Sequence, residues 1–283
     1  MGPLAIRWYG LCFAAAFILG YRVVHGIYKK ENKPLADLDS LLIYMVAGTV
    51  IGARLGHVLF YDPSYYMAHP LEIIMIWKGG LASHGGTLGI IIAIYFYSRK
   101  HADQPYLWLL DRLAIPAALG ACFIRIGNFF NSEILGLPSN LPWAIVFERI
   151  DDIPRHPVQL YESVTYLVIF IILMTMYKQL FDRLKDGILL GTMMILIFGM
   201  RFFLEFIKEH QAAYADNFVI SVGQWLSVPM VIAGIVLLVR GVRAMKGVSG
   251  EAVALNQPVS TANTESARDN NKGNKKKARN KKR

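Results

Sequence analysis

The chain has 283 residues, 54% of them hydrophobic and only 18% charged, with a formal net charge of +10 and a mean hydropathy of +0.38. Soluble domains carry about 25% charged residues. This balance excludes a disordered chain, a disulfide scaffold and an ordinary soluble enzyme, and it points to a polytopic membrane protein.

The sequence predicts an all-α membrane protein with seven transmembrane helices, at about 5–27, 40–61, 80–97, 106–124, 159–177, 187–206 and 219–240. The segments are continuous and Leu/Ile/Met-rich, without the alternation of a β-barrel. The first apolar run, Leu4 to Tyr28, is longer than a signal-peptide core and no small-residue cleavage site follows it, so it reads as a span. The second span carries Arg54, with His57 and Tyr61 on the same helical face at i+3 and i+7. Alone, Arg54 would snorkel to headgroups. Segment 62–79 follows, with Tyr65, Tyr66 and Trp77 suited to the headgroup region. The third span opens on His84-Gly85-Gly86, where missing side chains allow close approach to the imidazole. The same glycines, with Gly89, also make a GxxxG packing pattern.

The fourth span ends on Arg125-Ile-Gly-Asn128-Phe-Phe-Asn131-Ser-Glu133-Ile-Leu-Gly136. A guanidinium with neighbouring amides suits a phosphate diester, because the fork donates two bonds and the amides donate more. A small external head is expected at about 125–158, with four prolines and a strand-like run Trp143–Phe147. Gln159 and Glu162 share a face at the start of the fifth span. Arg201, Glu205 and Lys208 follow on the sixth, where an Arg–Glu pair at i,i+4 also reads as self-neutralising. Ser221, Gln224 and Ser227 line one face of the seventh. Cys12 and Cys122 lie in apolar stretches and read as small core residues.

Loop charge sets the orientation. Twelve Lys/Arg flank one side, among them Lys29, Lys30, Arg99, Lys100, Lys178 and Arg240, against six on the other. The N-terminus is therefore expected outside and the C-terminus inside. Residues 1–246 form the membrane domain and 247–283 a disordered basic cytoplasmic tail, whose last eighteen residues hold nine Lys/Arg against one Asp. Under this orientation the intramembrane polar residues from six spans gather near the outer leaflet. Charge at a helix centre costs at least about 2.5–3.5 kcal/mol, so such a gathering suits a cavity for an anionic lipid. A lipid transporter would use the same arginines, but the chain shows neither paired halves nor broken helices. No HExxH or CxxC pattern suggests a metal, and no cofactor is expected.

At these residues the sequence resembles the prolipoprotein diacylglyceryl transferase family of seven-span bacterial enzymes. The resemblance runs from Trp8-Tyr9-Gly10 to about Val239. It is carried by that tripeptide, by His84-Gly-Gly, by the Arg125–Gly136 element, by Arg155-His-Pro-x-Gln-x-Tyr-Glu162 and by Arg201-Phe-x-x-Glu205. It implies transfer of the diacylglyceryl group of phosphatidylglycerol to the lipobox cysteine thiol of prolipoproteins, with loss of glycerol phosphate, in the bacterial inner membrane. The implied partners are phosphatidylglycerol, prolipoprotein signal peptides and membrane lipids, with no nucleic acid required. The implied catalytic residues are Tyr9, His84, Arg125 and Arg201, and Asn128 and Gly136 are implied at the lipid site. The residues themselves add Arg54, Asn131, Glu133, Gln159, Glu162 and Glu205 as substrate contacts. Two departures stand out. The chain begins almost on the first span, where family members carry a short outside segment. Ile197 stands one turn before Arg201, where many carry a tyrosine.

Overall fold

A computed structural model describes residues 8–209 and 221–255. Residues 5–7 and 219–220 of the first and last predicted spans, and residues 256–283 of the basic tail, lie outside the described residues. The chain divides into two units after Val242. The first consists of α1 (Trp8–Lys30), α2 (Leu35–Phe60), α3 (Pro63–Ala68), α4 (Ser83–Lys100), α5 (Tyr106–Phe130), α6 (Val158–Gln179), α7 (Ile188–Leu204) and α8 (Val222–Leu255), whose last part lies in the second unit.

Six of these helices are long and apolar enough to cross a membrane. The third predicted span, α4, is not among them. It has 18 residues, and it starts on Ser83-His84-Gly85-Gly86-Thr87 and ends on Ser98-Arg99-Lys100, which leaves only a short apolar centre. Two boundaries also differ. α5 runs six residues past the predicted 124, because Arg125 and Asn128 interrupt hydropathy and not helix propensity. α8 continues through Leu255, past the predicted span end at 240.

α5 is the central helix, with Leu113, Ala114, Ile115, Pro116 and Ala118 all buried. It packs with α6 and α7 through Ile115, Cys122, Tyr166, Ile169, Leu173 and Leu189. Cys122 sits there with its sulfur 3.1 Å from Ser163 Oγ, and both cysteines are free. Asp111 is fully buried and accepts hydrogen bonds from the backbone N–H groups of Gly187 (3.0 Å) and Leu190 (2.8 Å), so it caps α7 from a neighbouring helix. Arg112 joins Glu31 at the end of α1 to Asp186, 3.0 Å from each.

α2 and α4 form a pair of their own. Their backbones touch: a Cβ added at Gly56 would lie 2.7 Å from Gly85 Cα, and one at Gly48 would lie 2.7 Å from Gly89 O. The GxxxG pattern therefore does serve packing. A second core joins this pair to α1 and α5 through Val24, Tyr28, Leu38, Leu41, Ile94, Tyr97, Trp108 and Leu109. These residues all come from the C-terminal halves of α1 and α4 and the N-terminal halves of α2 and α5, so this core sits at one end of the bundle.

A short stretch of extended structure follows Phe130, between α5 and α6. β1 (Ile145–Val146) pairs antiparallel with β2 (Pro154–Arg155), with Ile145 opposite Arg155. Segment 135–139 lies between two further segments: Leu137 N–H donates to Ile207 O and Glu209 N–H to Leu135 O, while His156 N–H donates to Leu137 O. Arg155 anchors the head by donating to Asp151 (2.5 Å) and pairing with Glu209 (3.1 Å). The hydrogen bond from Arg155, with a second from Ile153 N–H, holds the Asp151 carboxyl below its ordinary range. A depressed carboxylate stabilises the fold above its unfolded pKa of about 3.9 and loses that contribution as pH falls through the folded value. Amide-exchange protection of residues 145–155 is therefore expected to stay flat from pH 7 to pH 5 and to fall only below about pH 4; a decline already at pH 6 would contradict this pairing.

Candidate functional site

The N-terminal ends of α1 and α6 and the C-terminal ends of α5 and α7 bring charged groups together by a chain of contacts. Arg125, on the last turns of α5, forms an ion pair with Glu162, Nε to Oε2 at 2.8 Å, and donates from Nη1 to Asn128 Oδ1 at 3.2 Å. Asn128 in turn donates to Glu133 Oε2 at 2.8 Å, and Asn131 to Glu133 Oε1 at 3.1 Å. Glu162, on the second turn of α6, is fully buried and takes a second cation on its other oxygen: Lys208 Nζ lies 2.7 Å from Oε1. Lys208 also lies 3.4 Å from Glu205. Arg125 and Lys208 share the buried Glu162 carboxylate, and with Glu133 and Glu205 in the same chain of contacts their charge is balanced by carboxylates, so Arg201 supplies the positive charge that is free for an anion.

The backbone around Glu133 is strained. Ser132 and Ile134 both have positive φ, 57° and 58°. For a β-branched residue this is a costly conformation of order 1–3 kcal/mol. It turns the Glu133 carboxylate back onto the two asparagines. Gln159, fully buried, supports the turn by donating to Glu133 O at 2.6 Å. Gly136 follows where no side chain fits: an added Cβ would collide with His156 O and lie 2.6 Å from Val158 Cγ2. Gly136→Ala is expected to push the 135–139 segment off its neighbours and abolish activity while the helical content stays unchanged by circular dichroism; an alanine variant with full activity would contradict this steric role.

Tyr9 approaches the same place from α1. Gly127 admits it, since a Cβ there would lie 2.9 Å from Tyr9 Cδ2, and Trp8 stacks on Phe130 with ring centres 5.2 Å apart. Tyr166 lies against Arg125 and within electrostatic reach of Arg201. Arg201 itself is half-buried and has no hydrogen-bond or ion-pair partner among the described residues. Glu205 faces Lys208 and Gly223 instead, so the expected i,i+4 pairing with Arg201 does not form. Gln224 caps α8 at Ser221 and donates to Phe202 O, which joins the ends of α7 and α8.

Several expected substrate contacts are turned toward protein. Arg54 is 4% exposed, and its guanidinium donates to the backbone carbonyls of Ile73 (2.8 Å), Gly79 (2.7 Å), Gly80 (3.2 Å) and Glu72, with its face on the Tyr66 ring. Segment 70–80 is short 3₁₀ turns and loop, and Arg54 satisfies the carbonyls of Ile73, Gly79 and Gly80 while sharing that of Glu72 with Met75 N–H. It neither snorkels nor faces a ligand. Gln159 and Glu162 likewise act through Glu133, Arg125 and Lys208 and do not face open space. His84 is exposed at the first turn of α4, beside Phe60 (5.4 Å) and Tyr61 (6.0 Å), and among the described residues it makes no contact with the Arg125 group. Lys208 and Tyr166 are members of the site that sequence reasoning misses. The only sequence signal for Lys208 is its i+7 spacing from Arg201. Among the described residues no group of three or more His, Cys, Asp or Glu is placed to hold a metal ion.

The family model described as prolipoprotein diacylglyceryl transferase matches residues 1–240. A protein of Tolumonas auensis named phosphatidylglycerol--prolipoprotein diacylglyceryl transferase is 52% identical over 238 residues, covering 84% of this chain and 92% of that relative. A protein of the same name from Chloroherpeton thalassium is 53% identical over 243 residues, covering 86% and 91%. Another from Bacteroides fragilis is 43% identical over 244 residues, covering 82% and 88%.

Proposed function

The chain belongs to the prolipoprotein diacylglyceryl transferase family, and from that premise we propose how its outer charged group performs the transfer. The enzyme moves the diacylglyceryl group of phosphatidylglycerol to a prolipoprotein, the first step of bacterial lipoprotein maturation. The acceptor is the thiol of the lipobox cysteine. Sulfur attacks the glyceryl carbon, an S–C bond forms, the C–O bond to phosphate breaks, and glycerol phosphate leaves with the bonding electrons.

The phosphate gains a charge as the diester becomes a monoester, so fixed cations favour the transition state over the bound lipid. Arg201 takes the phosphate directly, because its guanidinium is unengaged among the described residues. Arg125 completes the grip with the N–H groups not used on Glu162 and Asn128, and Lys208 adds positive charge behind it. Asn128, Asn131 and Glu133 shape the headgroup end, Gly136 keeps its backbone in place, and Tyr9 offers a hydroxyl. His84 is the group for the thiol proton: a thiol of pKa about 8.5 needs a base at neutral pH, and the imidazole is exposed without a hydrogen bond among the described residues. The observation that carries this reading is the buried Arg125–Glu162–Lys208 chain beside an unengaged Arg201.

The seven-span topology belongs to the same reading, with α4 as the short crossing, the N-terminus out, the C-terminus in, and the site toward the extracytoplasmic side of the inner membrane. The Lys/Arg asymmetry of the loops supports it. Residues 1–246 are the transferase domain, and 247–283 a basic cytoplasmic extension that the reaction does not use. The test offers the purified protein phosphatidylglycerol and a lipobox peptide. Glycerol phosphate is released only when the peptide carries its cysteine. Lipid movement without bond cleavage would overturn the transferase reading in favour of a transporter.

A further inference from the structure

An apolar groove of about 1090 Å³ runs along the outer surface of the α2–α4 pair, from His84 at one end to Arg99 and Lys100 at the other. Ile51, Leu55, Leu88 and Ile92 line it, and all four are exposed. We propose that this groove is a binding site for an anionic diacyl phospholipid, its phosphate held by Arg99 and Lys100 and its two tails lying along α2 and α4 toward His84. The inference goes beyond the transfer reaction and does not depend on it. With the C-terminus inside, this lipid belongs to the cytoplasmic leaflet and is distinct from the lipid consumed at the Arg125 group.

His84 and Lys100 are sixteen residues apart on one helix, about 24 Å at 1.5 Å per residue, a length along which extended acyl chains can lie.

Charge sets the direction. Both cations line the groove, and Lys100 Nζ lies 5.5 Å from the centre of the Tyr44 ring, itself a lining residue, so the ammonium is held at the groove mouth. Carboxylates of that end are engaged elsewhere: Asp37 accepts from Gln104 and lies 3.6 Å from His101, Asp39 accepts from Tyr21, and Asp103 pairs with Lys33 at 3.0 Å. At the opposite end the Arg54 guanidinium is taken by backbone carbonyls and does not offer itself to a phosphate. A signal-peptide helix would bring a basic N-terminal region to the Arg99–Lys100 end and be repelled there.

The experiment places the full-length protein in phosphatidylcholine nanodiscs doped with phosphatidic acid carrying a photoreactive diazirine in its tail. Phosphatidic acid has the phosphate but not the second glycerol, so failure of the transfer reaction leaves this readout untouched. Crosslinks mapped by mass spectrometry are expected on 51–55 and 88–92, with unlabelled phosphatidic acid competing. Replacing both cations, Arg99→Gln with Lys100→Gln, is expected to weaken apparent affinity about thirty-fold, roughly five-fold per charge. Leu88→Trp, which fills the groove and keeps both cations, removes the same crosslinks. Equal labelling by a matched phosphatidylcholine probe, or labelling indifferent to both variants, overturns the site and leaves an ordinary lipid-facing surface. Displacement of the probe by an apolar signal-peptide helix overturns it in favour of a peptide.

Discussion

Glu162→Ala is expected to lower stability by about 3–5 kcal/mol and to abolish transfer. Glu162 is fully buried, pairs with the Arg125 guanidinium at 2.8 Å and accepts from Lys208 at 2.7 Å. Removing it leaves two desolvated cations facing each other, which is worse than losing the pair's own attraction. Glu162→Gln keeps the shape and one acceptor oxygen, so it should fold better than the alanine variant and still fail catalytically, since Arg125 loses the partner that aims it. Thermal unfolding in detergent with and without phosphatidylglycerol reads both effects. An alanine variant as stable as the parent would mean that water reaches the carboxylate and that the charged chain is not a buried unit.

Arg201→Ala should behave in the opposite way. Its guanidinium has no hydrogen-bond or ion-pair partner among the described residues, so the unfolding temperature should hold. Transfer should fall by at least about 10²–10³, the loss seen when one preorganised donor to a developing charge is deleted. Arg201→Lys keeps the charge without the fork and should recover only part of that loss. The pair of results separates a group that builds the site from one that meets the substrate. If Arg201→Ala kept most of the turnover, the phosphate would have to bind elsewhere.

The contrast between these residues also explains what the sequence discloses. Hydropathy finds every long helix, because lipid demands continuous apolar segments. It misses the extension of α5 through Phe130, because a window that stops at the first charge cannot see that Arg125 and Asn128 are paired across helices. It ranks α4 equal to the other spans, although that helix is short and polar at both ends and gains its place from glycine contacts with α2. The Arg125–Gly136 element is legible as a site because its members lie within twelve residues. The Glu162–Lys208 bond is not, since 46 residues separate its partners. Arg54 misleads for a different reason. Its acceptors are main-chain carbonyls, which leave no mark in side-chain identity.

The strip 135–139, wedged between 154–156 and 207–209, bears on biogenesis. As the ribosome feeds helices into the bilayer in order, Arg125 and Glu162 are inserted before residue 208 exists. The nascent chain therefore carries the first pair without its second cation, and without the backbone rung at Ile207–Glu209 that closes the head. Competence arrives in one late event, when the end of α7 emerges and docks. A chain terminated near residue 200 would hold most of the apolar mass and yet be inert, so dividing the gene there should give two fragments that are inactive apart and regain function only on co-expression.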